Sequence, residues 1–482
     1  MSPILVLSVI VLYFCFLMII SHLTSKGATS ATFFTGNKQS PWYLVAFGMI
    51  GASLSGVTFI SVPGYVGATQ FSYFQVVLGY LLGYYVIATV LMPLYYRMNL
   101  VSIYGYLKDR FGLYSYKTGS FFFLLSQTIG AAFRLFLVAG VLQLAFFDAY
   151  EIPFAVTVAI TILLIWLYTF KGGIKTIVWT DTLQTFFMLS AVCISIYIIA
   201  QDLDLSFGGI VQAIEEHNYS KMFFWDWKEG SFFIKQFFSG AFIAIVMTGL
   251  DQNMMQKNLT CKTLGDAQKN MFWFSTSLIF VNLLFLGLGA LLFIYAGENG
   301  ISIPTRTDDL YPLLALNHFR LFAGVVFLLG ITSAAYSSAD SSLTALTTAF
   351  CIDFLDHDNK SEQQRKSQRK IVHITFSVVL FLVIVIFRAI NDESVISSVF
   401  KAAGYTYGPL LGLFAFGLFT KLQLREKWVP LVCLVSPIIS YALNYYSEEL
   451  FNGYKFGFEI LMVNGAITFF GLLMLTKSGK AE

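Results

Sequence analysis

Charge is scarce in this chain. Asp, Glu, Lys and Arg together make up 12% of its 482 residues, about half the share of an ordinary soluble protein. With 57% hydrophobic residues and a mean hydropathy of +0.72, no stretch of useful size remains for a soluble domain. Cysteine is equally thin: Cys15, Cys193, Cys261, Cys351 and Cys433 lie singly, without metal-ligand spacing or a disulfide framework, so redox chemistry is not expected. The histidines (His22, His217, His318, His357 and His373) fall in loops or at the ends of apolar runs, and none joins a nucleophile or a metal cluster. Catalysis therefore has no visible constellation, and an enzyme is not expected. The net charge of +3 is small and its basic residues are dispersed, which argues against a nucleic-acid partner. Neither a basic start nor a small-residue cleavage site accompanies the apolar run from Pro3 to about His22, so it reads as a retained helix rather than a signal peptide.

What the chain has in quantity is apolar runs of about 20 residues or more, each able to cross a hydrocarbon core about 30 Å thick. They fall at 3–23, 42–65, 70–96, 118–147, 151–170, 176–200, 232–252, 269–297, 319–353, 369–390, 395–421, 427–447 and 455–476. The expected fold class is an all-α polytopic membrane protein of about thirteen transmembrane helices. Its connections alternate in charge. One set is basic: Lys26 and Lys38; Arg97, Lys108, Arg110 and Lys117; Lys171 and Lys175; Lys257, Lys262 and Lys269; Lys360 to Lys370; Lys421 to Lys427; Lys477 and Lys480. The other is acidic, from Asp148 and Glu151 through Asp308 and Asp309 to Asp392, Glu393, Glu448 and Glu449. Basic loops stay in the cytoplasm, so the expected N-terminus is outside, the C-terminus inside, and the location the inner (plasma) membrane.

Ionisable residues inside the expected spans are few: Arg134, Asp181, Asp251 near a helix end, Asp340 and Lys401. Each is costly in hydrocarbon and so marks either a functional site or a structural ion pair. Arg134 offers a planar fork that fits a solute carboxylate, or else a fixed salt bridge to a carboxylate such as Asp181. Lys401 sits near a span end and can snorkel. In "YSSADSSLTA", residues 336–345, Ala334, Ser337, Ser338 and Ser341 share one helical stripe with Asp340 on its shoulder. Hydroxyls alone serve close helix packing. A carboxylate beside them adds the oxygen set a hard cation seeks. "GASLSGVTFISVPGYVG", residues 51–67, is rich in Gly, Pro and Ser within a span, as expected of a broken helix whose freed carbonyls line an ion or solute cavity.

Three stretches together resemble the sodium/solute symporter family, which includes bacterial sialic acid, proline and galactose transporters. "FKGGIKTIVWTDTLQ" (170–184) is similar to its glycine-pair and Thr-Asp-x-x-Gln signature, "TGLDQNMMQKNLTCK" (248–262) to its Asp/Asn-Gln motif, and "AAYSSADSSLTALTTAFCIDF" (334–354) to its sodium-site helix. "YGYLKDRFG" (104–112) and "GYTYGPLLGLF" (404–414) agree, and the order holds along nearly the whole chain. The resemblance implies a leucine-transporter (LeuT-like) fold: an extra N-terminal helix and loop (1–41), five-helix inverted repeats at 42–200 and 232–421 separated by an extracellular loop (201–231), and two C-terminal helices with a short tail (422–482). It implies sodium as the coupling ion and a small organic solute as cargo, with the lipid bilayer as surroundings and no obligate protein partner.

Carried over by position, the resemblance implies a main sodium site from the carbonyls of Gly51, Leu54 and Ala334 and the hydroxyls of Ser337 and Ser338. It implies a second cation site, for sodium or a proton, from Asp181, Ser337, Asp340 and Ser341, where Asp340 departs from the family's usual hydroxyl. For the solute it points to Ser53, Ser55, Thr58, Gln75 and Arg134, and so to sialic acid or another organic acid. The asparagine and gating tyrosine of galactose-type members are replaced by Ala244 and Met247, which disfavours a neutral sugar. An amino acid or polyol symporter, a passive channel and a transporter-like sensor remain as alternatives. The short tail after Leu475 argues against the sensor.

Overall fold

Apolar runs that cannot hydrogen-bond to lipid must satisfy their backbone internally, and in the computed structural model they do so as helices. The structure describes residues 3–24, 38–169, 174–355, 361–390 and 394–477. The glycine pair of the 170–184 signature and several expected loop charges (Lys26, Lys171, Lys360, Asp392, Glu393 and Lys480) lie outside the described residues. The helices that position the site are α1 (Pro3–Thr24), α2 (Trp42–Ser53), α3 (Gly56–Thr69), α4 (Tyr73–Arg97), α5 (Leu113–Tyr150), α6 (Phe154–Thr169), α7 (Ile174–Asp202), α8 (Phe233–Gly249), α9 (Gln252–Asn258), α10 (Leu264–Glu298), α11 (Leu321–Phe354), α12 (Glu362–Ile390), α13 (Val395–Thr406), α14 (Gly408–Phe419), α15 (Val429–Tyr445) and α16 (Ile460–Met474).

Seven of these are long and apolar enough to cross a membrane, and ten spans result if each of three bent pairs counts once. The pairs are α2/α3, α8/α9 and α13/α14, bent by 55°, 71° and 46°. Thirteen spans are reached only if the shorter apolar helices Ile4–Ile20, Phe154–Trp166 and Ile460–Met474 also cross. The break expected in 51–67 is present between Ser53 and Gly56.

Close packing fixes the broken helices in place. α7 lies against both α2 and α11, and α11 also packs on α2, α5 and α1. Gly51 allows the α2–α7 contact: a Cβ there would come within 2.0 Å of Thr185 Oγ1. At the other broken helix, a Cβ on Gly240 would fall 2.0 Å from the Val76 carbonyl oxygen, so α8 runs backbone to backbone along α4. Outside the spans, Asp308 accepts the Val395 amide at 2.9 Å and fastens the loop before α11 to the start of α13. Burial pushes its carboxyl up to about 6.

Candidate ion and solute site

Each helix break leaves backbone groups without their helical partners, and the site is built from those groups. At the first break, Leu54 N–H still donates to Ile50 O at 2.8 Å, but among the described residues no backbone amide reaches the carbonyls of Gly51 or Leu54. Ser55 then caps α3 by accepting from Val57 N at 3.3 Å. At the second break, Asp251 caps α9: Oδ1 accepts from Met254 N at 3.1 Å. Its Oδ2 accepts from the Tyr407 hydroxyl at 2.7 Å, and Tyr407 stands at the third break, between α13 and α14. The starts of α3 and α9 thus turn their positive dipole ends toward the middle of the bundle.

A cavity of about 90 Å³ opens there, lined by Ser53, Leu54, Ser55, Thr58, Arg134 and Asp251 among others. Ala244 and Met247 line it too. So do Gln127, Asn253 and Asn282, polar residues that sequence alone does not separate from helix-packing groups. Arg134, on α5, lies near enough to Asp251 and Tyr407 to feel both, yet its guanidinium makes no hydrogen bond or ion pair with the described residues. The fixed salt bridge to Asp181, left open from the sequence, is not formed. Gln75 is also placed differently: it is fully buried away from the cavity lining. Its amide donates to Ser72 O and Ser231 O at 3.2 and 2.9 Å and accepts from Phe224 N at 3.1 Å. Those three bonds pin the segment before α8 and leave no amide group for a solute.

The residues expected to hold the main sodium lie on α2 and at its C-terminal end (Gly51, Leu54) and on α11 (Ala334, Ser337, Ser338), two helices in contact. Ser338 Oγ donates to Ala334 O at 3.3 Å along its own helix. Ser337 Oγ donates to Asp181 Oδ1 at 2.6 Å. A hydroxyl that gives its one hydrogen to a carboxylate keeps its lone pairs for a cation.

Around Asp181 the structure corrects the sequence reading. Lys257 is not a cytoplasmic loop residue. It lies on α9 with its side chain 1% exposed, and its Nζ stands 2.6 Å from Asp181 Oδ2, itself fully buried. Both carboxylate oxygens are thereby engaged, one by an ammonium and one by Ser337. Of the other residues expected at this second cation site, Asp340 and Ser341 are buried on α11, and Asp340 Oδ1 accepts from the Ser341 amide and, at 3.2 Å, from its hydroxyl. Asp353, which received no role from the sequence, closes the far end of α11: it is fully buried and accepts from Tyr116, Ser120 and Ser102 at 2.6, 2.8 and 3.3 Å. Lys401 is exposed on α13, in keeping with snorkelling. Among the described residues no group of three or more His, Cys, Asp or Glu forms a metal cluster. An ion here would rely on carbonyls and hydroxyls.

Broken helices meeting around a polar cavity, with carbonyls freed at the first break and the starts of α3 and α9 lining it, are the pattern of a secondary transporter of the leucine-transporter type. The sodium:solute symporter family profile matches residues 33–425. The chain belongs to the sodium:solute symporter family; it is a multi-pass membrane transporter that uses sodium, not an enzyme. It is 25% identical over 421 residues to a sodium/sialic acid symporter of Aliivibrio fischeri, covering 83% of this chain and 80% of the relative. It is 24% identical over 462 residues to a sodium/sialic acid symporter of Proteus mirabilis, covering 93% and 91%. A solved structure of a Na+-coupled sialic acid symporter in a substrate-bound, outward-open state superposes with a TM-score of 0.83 over 98% of this chain and 99% of that one, at 20% identity. At that identity the superposition establishes the fold.

Proposed function

We propose that this chain imports an organic acid with sodium, and that the solute is a sugar acid of the sialic acid class. The observation that carries this reading is Arg134: a guanidinium on the central cavity with no hydrogen-bond or ion-pair partner among the described residues, while the nearby carboxylate of Asp251 is held by Tyr407 and the α9 amide. A half-buried fork of donors on the cavity invites a carboxylate. Asp251 accepts what that carboxylate carries with it, the hydroxyl or amide donors of a sugar acid. Ser53, Ser55 and Thr58 add hydroxyls on the α2–α3 side. The names of the relatives support the same class.

The main sodium would sit between the carbonyls of Gly51, Leu54 and Ala334 and the hydroxyls of Ser337 and Ser338. Two inverted repeats, 42–200 and 232–421, would rock around it in alternating access. The loop charges support insertion in the inner (plasma) membrane with the N-terminus outside and the C-terminus in the cytoplasm.

Because Arg134 and Asp251 put both signs of charge on one cavity, a zwitterionic amino acid is the second reading. A thermal-shift comparison of N-acetylneuraminic acid, its neutral sugar analogues and amino acids, each with and without sodium, separates the two. In the first reading Arg134→Ala lowers affinity for the acid by about 100-fold or more, the scale for truncating one partner of a buried charged pair, and leaves sodium-induced stabilisation in place. Retained affinity for the acid would return Arg134 to a structural role.

A further inference from the structure

We infer that the Lys257 ammonium is the resident cation of Asp181, so that this chain binds sodium at the carbonyl-and-hydroxyl site of α2 and α11 alone, one ion per chain. The inference rests on the sodium reading above and deepens it by assigning the ion count.

The pair is built rather than incidental. Lys257 Nζ and Asp181 Oδ2 are 2.6 Å apart with side-chain exposures of 1% and 0%. All seven residues of α9 are buried, and the helix is fixed at both ends. Asp251 caps its start, while Thr260 Oγ1 donates to Lys257 O at 2.7 Å and Tyr96 OH donates to Asn258 O at 3.1 Å at its finish. The ammonium is therefore delivered to Asp181 by a rigid support.

A free sodium using Asp181 would have to displace this tethered cation, whose local concentration exceeds that of any ion in solution. It would then stand beside an uncompensated buried ammonium, and that repulsion is weakly screened away from water. The Asp181–Lys257 pair is neutral as it stands, so the Asp181 carboxylate calls for no further cation. Its remaining oxygen orients Ser337, with the hydrogen toward Asp181 Oδ1 at 2.6 Å and the lone pairs free for the main sodium. Asp181 and Lys257 are thus positioning residues for Ser337, not ligands of a second ion.

Radiolabelled sodium binding to the purified full-length chain, measured without solute by scintillation proximity, tests this. The wild type should bind about one sodium per chain. Lys257→Met uncovers the carboxylate and should raise the count toward about two. Where that variant fails to fold, the charge-balanced double variant Asp181→Asn with Lys257→Met should still bind about one. A wild-type count of about two that falls to about one in the double variant would overturn the inference while leaving sodium coupling intact. Absence of any saturable sodium binding would instead contradict the sodium reading itself.

Discussion

Ser337 carries one hydrogen, and in this structure it gives it to Asp181. That single bond links the buried ion pair to a serine of the proposed sodium site. Ser338 Oγ donates to the Ala334 carbonyl at 3.3 Å, within its own helix. Ser338→Ala removes one oxygen from the proposed main site, so half-saturation by sodium should rise by about tenfold or more, on the scale of a lost bond to a charged group. Sodium titration of thermal stability measures it; an unchanged midpoint would remove Ser338 from the ligand set.

At this scale the sequence was legible where chemistry is expensive. Intramembrane Asp181, Asp340, Arg134 and the serine stripe are visible because hydrocarbon penalises them. Lys257 was hidden for the opposite reason. It belongs to "QNMMQKN", too short and polar to look like a span, and it stands among basic residues that follow the loop-charge rule. Buried Asp181 was itself the signal, since an interior carboxylate needs a cation, but Lys257 lies 76 residues further on in a different motif and nothing in the sequence paired the two. Gln75 shows the converse limit: a glutamine at a suitable distance along the chain gave no sign that the segment around Phe224 and Ser231 would take its amide.

Among the elements, the broken helices carry the function and the glycines make them possible. The α2–α3 break was readable in advance, because Gly, Pro and Ser crowd one apolar span. The α8–α9 break was not, because its inner half looks like a loop. α2 approaches α7 so closely at Gly51 that a methyl group would meet Thr185 Oγ1 at 2.0 Å and the Asp181 carbonyl oxygen at 3.3 Å. Gly51→Ala should therefore destabilise the fold by about 1–3 kcal/mol through overpacking and weaken sodium binding, because the displaced carbonyl belongs to the proposed main site. Thr185→Ala in the same chain removes the nearer clash and should recover part of both losses. Thermal unfolding of the two single variants and the double variant reads the coupling; strictly additive effects would show that the α2–α7 approach does not matter.

For the whole molecule, the count of spans was the reading most exposed to error. Composition and charge alternation lead to about thirteen, whereas among the described residues length and apolarity alone support seven helices, or ten with each bent pair taken as one. The difference lies in three short apolar helices, α1, α6 and α16, that pack against longer neighbours. α1, outside the expected repeats, lies against α7 and α11, which carry Asp181 and Ser337. In the proposed arrangement the ion site and the solute cavity share the α2–α3 break, which gives a direct means of coupling: sodium would fix the carbonyl end of the break, whose Ser53, Ser55 and Thr58 line the cavity. Each ligand then improves the other's site by the same factor, as linkage requires.

Proteoliposomes containing the purified chain, given labelled N-acetylneuraminic acid with an imposed sodium gradient, test the central claim most directly. The account predicts accumulation above the external concentration that collapses when the gradient is removed and is lost in Arg134→Ala. Uptake that only equilibrates, with or without sodium, would contradict it.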